Sequence, residues 1–368
     1  MSEVLCCLKG FKALIYLNKG IILARFNNIY FSDLRFERIE FVCSVGKLGP
    51  LFFLISRIRL LQRLFRLELG PASPLLEPGC FLVFFRGNVF FVDVEKSSAT
   101  LEFFSLCHKR PLQLLLLRSG PHAGSVLLGD YQSNFDYNSV NIYRRKPNGV
   151  WDIAFTFPEG EINHVHGIFE DSSRNILYIL TGDFGSGACI WLSDLDFMNV
   201  RPLSRSGQKS RACWVLPFGN LLVFATDQQA EINYLCTIDL DDGSTINQLF
   251  PIVGSSICSS NVHVDPFVFS TAVEPISANK ITLGGLLSSK PAPGILGDVA
   301  CVYVGSLHTG FRVIFSAKKD FLPFGLFQFG NILFPVGDSA NTNYVHFYCS
   351  SLLGHDGNSY FMTLQDSE

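Results

Sequence analysis

Two histidines one residue apart, in Asn163-His164-Val165-His166-Gly167, are the first residues whose type and spacing suggest chemistry. On a strand, side chains two apart point to the same face, so His164 and His166 form an imidazole pair. Such a pair can hold a divalent metal or divide general acid and base work. Spacing alone assigns no third ligand, so the expectation is no cofactor, with a divalent metal as the alternative. Gly207-Gln208-Lys209-Ser210-Arg211 and Lys109-Arg110-Pro111 lie at the heads of neighbouring segments and supply Gln and Arg to the same mouth. A second set comes from aligning segments of the chain. A recurring apolar run ends in turn at Arg25, Arg86, Asp130, Asp183, Asp227, Glu274 and Asp338. Two arginines followed by five acids would make a polarised ring. The arginines could hold a sugar acid while carboxylates act on a glycosidic bond. Candidate acid/base groups are Asp130, His164, His166, Asp183 and Asp227. Candidate binding groups are Arg25, Arg86, Asn134, Gln208, Arg211 and Glu274. The competing reading of each Asp is ordinary turn chemistry, a carboxylate capping backbone amides at a strand end.

The elements that must position these residues are repeated. An apolar β-type run, a polar turn and a second β-type run recur about seven times, most clearly as Ile29-Tyr-Phe-Ser-Asp-Leu-Arg-Phe-Glu-Arg-Ile39 and Ile190-Trp-Leu-Ser-Asp-Leu-Asp-Phe-Met-Asn-Val200. Further copies begin near Phe90, Ile142, Tyr234, Val302 and Val345, at separations of about forty to seventy residues, the range of repeated supersecondary units. A further apolar run precedes each phrase, as in Asn175–Asp183 and Asn220–Asp227, and a fourth lies upstream, as in His166–Glu170. Four short strands per unit describe a propeller blade. The expected fold is therefore all-β, a single β-propeller spanning 1–368 with about seven four-stranded blades, six being the alternative. Residues 286–294 read as an excursion within the sixth unit.

Hydrophobic residues make up 48% of the chain, 35 of them Phe, and only 17% are charged. No uninterrupted apolar run reaches the 18 or so residues of a membrane helix, so stacked blades with strands buried on both faces account for the excess. Met1–Lys12 lacks the basic-then-apolar pattern of a secretory signal. Eleven cysteines, scattered through apolar runs without any Cys-x-x-Cys, read as reduced thiols and favour the cytoplasm. A net charge of −3 argues against nucleic acid as a partner. Residues 51–67 break the β pattern. At helical spacing Ser56, Arg59, Arg63 and Arg66 share one face, and Leu51, Leu54, Ile55, Ile58, Leu61 and Phe65 share another. This predicts a basic amphipathic helix between the first and second blades. Either its apolar face packs on the propeller, or it docks on an anionic inner membrane or a membrane-bound glycosyltransferase. Gly182–Gly187 is Gly-rich but precedes a strand, so it is no phosphate loop, and no Gly-x-Ser-x-Gly elbow is present.

Asn141-Ile-Tyr-Arg-Arg-Lys-Pro-Asn-Gly-Val-Trp151 resembles a degraded Asp-box, the hairpin turn of sialidases and related propellers. Arg144 and Lys146 replace its Ser and first Asp, while Asn148, Gly149 and Trp151 keep the turn and its aromatic anchor. The segments 129–134, 164–167, 181–183, 207–211, 225–227 and 270–275 look similar to a group of bacterial sialidase-like proteins often associated with surface-polysaccharide biosynthesis. The resemblance covers roughly residues 105–275. It implies a carbohydrate-active protein, with Arg25, Arg86 and Arg211 as positions open to a carboxylate clamp; no Tyr is assigned as nucleophile. Three functions follow as expectations: a hydrolase or lyase acting on an acidic surface or capsular glycan, a noncatalytic glycan-binding or assembly protein at the inner membrane, and a protein-interaction scaffold.

Overall fold

The computed structural model describes residues 6–17, 20–104, 111–183, 185–241, 245–264, 266–276, 282–337 and 344–364. The chain divides into two compact units, one of residues 1–104, 258–291 and 298–368, the other of residues 105–257 and 292–297. The first unit begins with β1 (Cys6–Lys9), then forms one sheet from β2 (Lys12–Leu17), β3 (Gly20–Arg25), β4 (Asn28–Asp33) and β5 (Ile39–Ser44). Helices α1 (Pro50–Ser56) and α2 (Arg59–Leu64) lead to a sheet of β6 (Ala72–Pro74), β7 (Cys80–Phe85), β8 (Asn88–Asp93) and β9 (Ser98–Phe104). The second unit holds three sheets. They are β10 (Leu115–Leu116), β11 (Val126–Gly129), β12 (Val140–Arg145) and β13 (Trp151–Phe157); β14 (His164–Asp171), β15 (Ile176–Gly182), β16 (Cys189–Asp194) and β17 (Arg201–Ser204); and β18 (Ala212–Phe218), β19 (Leu221–Thr226), β20 (Asn233–Asp239) and β21 (Ile246–Ile252). The boundary between units falls inside β22 (Ser255–Val264), which forms a sheet with β23 (Phe267–Ala272), β24 (Val299–Ser306) and β25 (Gly310–Lys318). Short helices α3 (Leu283–Leu287) and α4 (Phe324–Phe327) flank β24 and β25, and the chain ends with β26 (Asn331–Leu333), β27 (Tyr344–Ser350) and β28 (Asn358–Thr363). Seven four-stranded antiparallel sheets, each a meander of consecutive strands except the last, make this a seven-bladed β-propeller.

The repeated phrase has a physical origin. It covers the third strand, the turn and the fourth strand of a sheet, and its leading aliphatic residue sits at a register break. Ile29, Val89, Ile142, Ile190, Leu235 and Val302 each precede a β-bulge in which the fourth strand carries one extra residue. All six are fully buried. A bulge of this kind bends the strand and increases its twist. The turn explains the rest of the phrase. Asp33 accepts hydrogen bonds from the backbone amides of Arg35, Glu37 and Arg38, and Asp194 accepts from those of Met198 and from the Asn199 side chain. The following Phe36 and Phe197 adopt left-handed backbone conformations, φ 60° and 58°, and are buried. The carboxylate thus ties a turn whose strain is offset by packing an aromatic ring into the core.

The final sheet departs from the repeat. Its order is β26-β27-β28-β1, with Cys6 opposite Phe361 and Lys9 opposite Asn358. The copy beginning at Val345 therefore lies on the second strand of its sheet, not the third, because the first strand of the chain supplies the fourth position. Asp338, Lys109 and Arg110 lie outside the described residues. Among the described cysteines all are free thiols, and no described helix is long and apolar enough to cross a membrane.

Segment 51–67 forms two short helices in place of one, with an orientation opposite to ordinary core packing. Ser56, Gln62 and Arg63 are buried, whereas Leu51, Phe53, Leu54, Ile58, Leu60 and Phe65 are exposed. The arginines are held by ionic contacts within the first unit. Arg63 pairs with Asp320 at 2.6 Å and donates to the Phe327 carbonyl at 2.7 and 3.0 Å. Arg59 pairs with Glu68, and with Asp356 at 2.6 Å. Tyr348 donates to Glu68 at 2.7 Å, and Lys319 bonds Asp320. Burial works to raise the Glu68 carboxyl, but Arg59 and Lys12 outweigh it and hold it well below the usual range. Asp320 is lowered likewise, against burial, by Arg63 and Lys319. Carboxyls lowered in this way stabilise the fold fully above the ordinary carboxylate range near pH 4, and that contribution is lost as pH falls through their lowered values. Removing one partner of a buried pair leaves the other charge uncompensated, at a cost of about 3–5 kcal/mol. Arg63→Ala is accordingly expected to lower the thermal midpoint sharply, while the exposed Arg57→Ala leaves it nearly unchanged. In wild type the midpoint should be flat from pH 7 to 5 and fall below about pH 4, whereas in Arg63→Ala that acid-dependent fall should be smaller.

Candidate functional site

The second unit brings the histidine pair together with two residues at the ends of neighbouring strands. His164 and His166 lie at the start of β14, Asp183 directly follows β15, and Arg211 directly precedes β18. The strand geometry differs from simple alternation. Val165 pairs with Thr181 and Gly167 with Leu180, so His166 is itself the inserted residue of a bulge. The bulge re-aims its side chain over Gly182, where a Cβ would stand only 2.2 Å from the imidazole Cε1. A related break occurs in the next sheet, where Ala212 pairs with Thr226 and Val215 with Phe224, leaving Cys213 and Trp214 opposite Ala225.

Each imidazole is anchored by its inner nitrogen. His164 Nδ1 lies 2.8 Å from the Gln132 carbonyl and His166 Nδ1 lies 2.9 Å from the Ala212 carbonyl. A carbonyl oxygen can only accept, so both Nδ1 atoms carry hydrogen and both donate. The two Nε2 atoms then face each other at 3.0 Å. Asp183 Oδ1 stands 3.2 Å from His166 Nε2 and 3.5 Å from His164 Nε2. Arg211 lies between two carboxylates, with Nη2 at 3.0 Å from Asp183 Oδ1 and Nε at 3.3 Å from Asp227 Oδ2. Cys213 Sγ reaches Asp227 Oδ2 at 3.4 Å and His166 Nδ1 at 3.5 Å. Gln208 donates to the Asp183 carbonyl at 2.7 Å, and the Tyr131 ring stands edge-on to His164 with centroids 4.5 Å apart. His164, His166, Arg211 and Asp227 are all buried, while the Asp183 side chain keeps 19% of its surface exposed. Asp183 is the solvent-reaching edge of the cluster.

The remaining candidates occupy other settings. Asp130 is buried at the end of β11 and accepts the Asn141 amide at 3.2 Å. Asn134 closes its own loop through both backbone groups of Asn138. Arg25, Arg86 and Glu274 belong to the first unit. Glu274 is buried, and Arg86 begins a tight hairpin turn (φ 49°, followed by Gly87 at 81°) with its guanidinium 4.4 Å from the Phe52 ring centroid. Arg25 stacks over Phe11 and Phe26, and it lines a cavity of about 250 Å³ together with Lys12, Arg57, Arg59 and Glu68. Four cationic side chains there face two carboxylates, the second being Asp356. Cys213 and the two anchoring carbonyls were not singled out from sequence. The proximity of Cys213 to Arg211 was available as a signal, but the carbonyls leave no side-chain trace. The degraded Asp-box is a hairpin between β12 and β13, with Gly149 at φ 85° donating to the Lys146 carbonyl.

No family model matches the chain, and no curated protein does. Among solved structures it is similar to the AfRom2 CNH domain, with a TM-score of 0.55 and 8% identity over 100% of each chain. It is similar also to a chain in the crystal structure of a mitotic checkpoint complex, with a TM-score of 0.54 and 9% identity over 100% of this chain and 95% of that one. A putative TolB from Agrobacterium tumefaciens aligns at 13% identity and a TM-score of 0.41, covering 66% of this chain and 82% of that one. At these identities the likeness is one of fold alone.

The anchoring pattern has a spectroscopic consequence. Long-range 1H–15N correlation spectra should show both His164 and His166 protonated at Nδ1. Gly182→Ala, whose added methyl overlaps the His166 ring, should shift the His166 signals much more than those of His122. A protonated-Nε2, bare-Nδ1 pattern for either residue would contradict the geometry.

Proposed function

We propose that this protein is carbohydrate-active, acting on an acidic bacterial surface or capsular glycan as a sialidase-like propeller. The observation that carries the reading is the convergence of His164, His166, Asp183 and Arg211 at the ends of neighbouring strands, with Asp183 open to solvent. Among the candidate acids of the second unit, Asp130 and Asp227 are buried and committed to neighbours, which disfavours hydrolysis by two facing carboxylates. Proton abstraction from the carbon beside a uronate carboxylate suits the groups better. An imidazole Nε2 has the lone pair to take that proton, and Arg211, itself buried between Asp183 and Asp227, adds positive potential against the negative charge that builds on the substrate. The elimination is completed as the adjacent carbon–oxygen glycosidic bond breaks, its electrons leaving with the oxygen, which takes a proton from water. Separately, the first unit carries a cationic cavity beside Arg25 that by itself suits an acidic ligand. At about 250 Å³ it lies below the 300–1,000 Å³ of drug-sized pockets, a size suited to one small anionic unit.

A second reading, noncatalytic assembly at a membrane surface, is favoured by the α1–α2 segment. Its polar face is turned inward and its apolar residues outward, with Leu51 66% and Leu54 62% exposed and Arg57 and Arg66 exposed beside them. Apolar area rimmed by arginine is the combination that binds anionic bilayers. The location this implies is the cytoplasmic face of the inner membrane.

Two measurements separate the readings. Incubated with uronate-containing bacterial polysaccharides, wild type should release unsaturated product absorbing near the ultraviolet edge. Asp183→Asn and Arg211→Gln should lose at least about 100-fold in rate, as for removal of a positioned transition-state group. Binding without product would leave the assembly reading, and neither binding nor product would leave a protein-interaction scaffold. Separately, wild type should co-sediment with phosphatidylglycerol vesicles, and Leu51→Asp/Leu54→Asp should abolish this with little change in thermal midpoint. Equal sedimentation of both proteins would end the membrane reading.

A further inference from the structure

We infer that His164 Nε2, His166 Nε2 and Asp183 Oδ1 form a binding site for a divalent first-row transition metal, with a fourth position open to water. The sequence offered two imidazoles and no third ligand; the fold supplies it by bringing the end of β15 against the bulge in β14. Both Nδ1 hydrogens are committed to backbone carbonyls, so three acceptor atoms converge at 3.0, 3.2 and 3.5 Å. Lone pairs at that separation repel unless something positive lies between them. A single proton on His166 Nε2 can bridge to His164 or to Asp183, yet it leaves His164 Nε2 facing the carboxylate unrelieved. A metal ion relieves all three contacts at once. The separations also fit: bonds of about 2.0 Å directed tetrahedrally place ligand atoms about 3.3 Å apart.

The surroundings fit a metal as well. Metal-binding histidines generally donate their other ring nitrogen to a carbonyl or carboxylate, which fixes tautomer and orientation. Here Gln132 and Ala212 serve both rings. Asp183 also accepts from Arg211, whose charge is offset by the buried Asp227. The two carboxylates and one guanidinium leave a net negative charge in a largely buried place, the condition a divalent cation reverses. A second group, His166, Cys213 and Asp227, also lies within ligand range. It uses the Nδ1 side of His166, where the hydrogen is already donated to Ala212, so the Nε2 side is the site. Two histidines and one carboxylate with an open position match both zinc hydrolase-type and non-haem iron-type ligand sets. The ligand class is therefore divalent transition metal, not magnesium or calcium.

The inference rests on the same cluster as the proposed activity, and with both Nε2 atoms committed to metal the proton-abstracting group would be a water at the open position in place of a bare imidazole; the site itself is read without any glycan. The full chain, stripped with chelator and titrated with Co2+, should develop the visible absorption of a tetrahedral or five-coordinate cobalt centre at one equivalent. Elemental analysis after Zn2+ loading and gel filtration should give one zinc per chain. The thermal midpoint of wild type should rise with added Zn2+, since binding to the native state alone stabilises it. Asp183→Asn and His166→Gln should weaken Co2+ binding at least about 100-fold, beyond the 10–100-fold typical of outer-sphere changes, whereas His122→Gln should bind as wild type. A folded wild type with no cobalt band and no zinc-dependent midpoint shift would overturn the site even if a variant failed to fold. Undiminished binding in the folded Asp183→Asn protein would overturn it equally. Metal uptake without turnover would sink the carbohydrate reading alone; turnover undiminished in the stripped protein would sink a catalytic role for the metal without touching the binding site.

Discussion

One extra residue in a strand is the constraint on which most of this structure depends. In six of the sheets the fourth strand carries a residue that the third does not match, beside a buried aliphatic side chain. The inserted residue adds local twist, the deformation a four-stranded blade requires. The same device between first and second strands does something different. In the sheet of β2 and β3 the inserted residue is Leu14, a core side chain. In the sheet of β14 and β15 it is His166, and the distortion that elsewhere fills a core aims an imidazole at a carboxylate. A structural requirement of the repeat has become the means of placing a chemical group.

The two units handle buried charge in contrasting ways. In the first, Arg59, Arg63 and Lys319 meet Glu68, Asp320 and Asp356, and the remaining donors go to backbone carbonyls such as that of Phe327. Donors and acceptors are matched, as a network that fixes a segment in place must be. In the second, acceptors outnumber donors around the two Nε2 atoms and Asp183. A mismatch of that kind is costly in a buried setting, and it persists only where a proton, a cation or a ligand belongs to the native state. The contrast sets a matched ionic network apart from an unmatched one without appeal to the identity of its residues.

What could be read from the sequence follows the range of the interactions involved. The third strand, turn and fourth strand are contiguous, and their Asp and Phe positions act on their own turn, so the phrase shows plainly at Asp33 and Asp194. The pair His164 and His166 was visible for the same reason. Asp183 came into view only by aligning repeats, since its partners lie on another strand, and that alignment also gathered Arg25, Arg86 and Glu274, which have separate surroundings in the other unit. The final copy was misplaced by one strand because β1 reaches its sheet from the opposite end of the chain. Bulges left no mark, because an inserted His166 and an alternating one have the same sequence. Both arguments put the ring beside His164, and only the structure shows that Gly182 must be a glycine for it to fit.

Segment 51–67 shows where sequence periodicity stops. Helical spacing sorts most residues into faces: Ser56, Arg59 and Arg63 fall together, as do Leu51, Leu54, Ile58 and Phe65, whereas Arg66, expected on the first face, is exposed. It carries no information on which face meets the protein. The usual inference, apolar side inward, assumes that burying hydrocarbon is the strongest available contact. Here the first unit offers Glu68, Asp320 and Asp356, and an arginine face gains compensated ion pairs and hydrogen bonds by turning toward them. Leaving several large apolar side chains in water opposes that gain, so the arrangement is best explained if the outward face is itself covered in the protein's working state. In the membrane reading proposed above, an anionic bilayer would meet both conditions at once, taking the leucine and phenylalanine side chains into its interface and the exposed Arg57 and Arg66 at its headgroups.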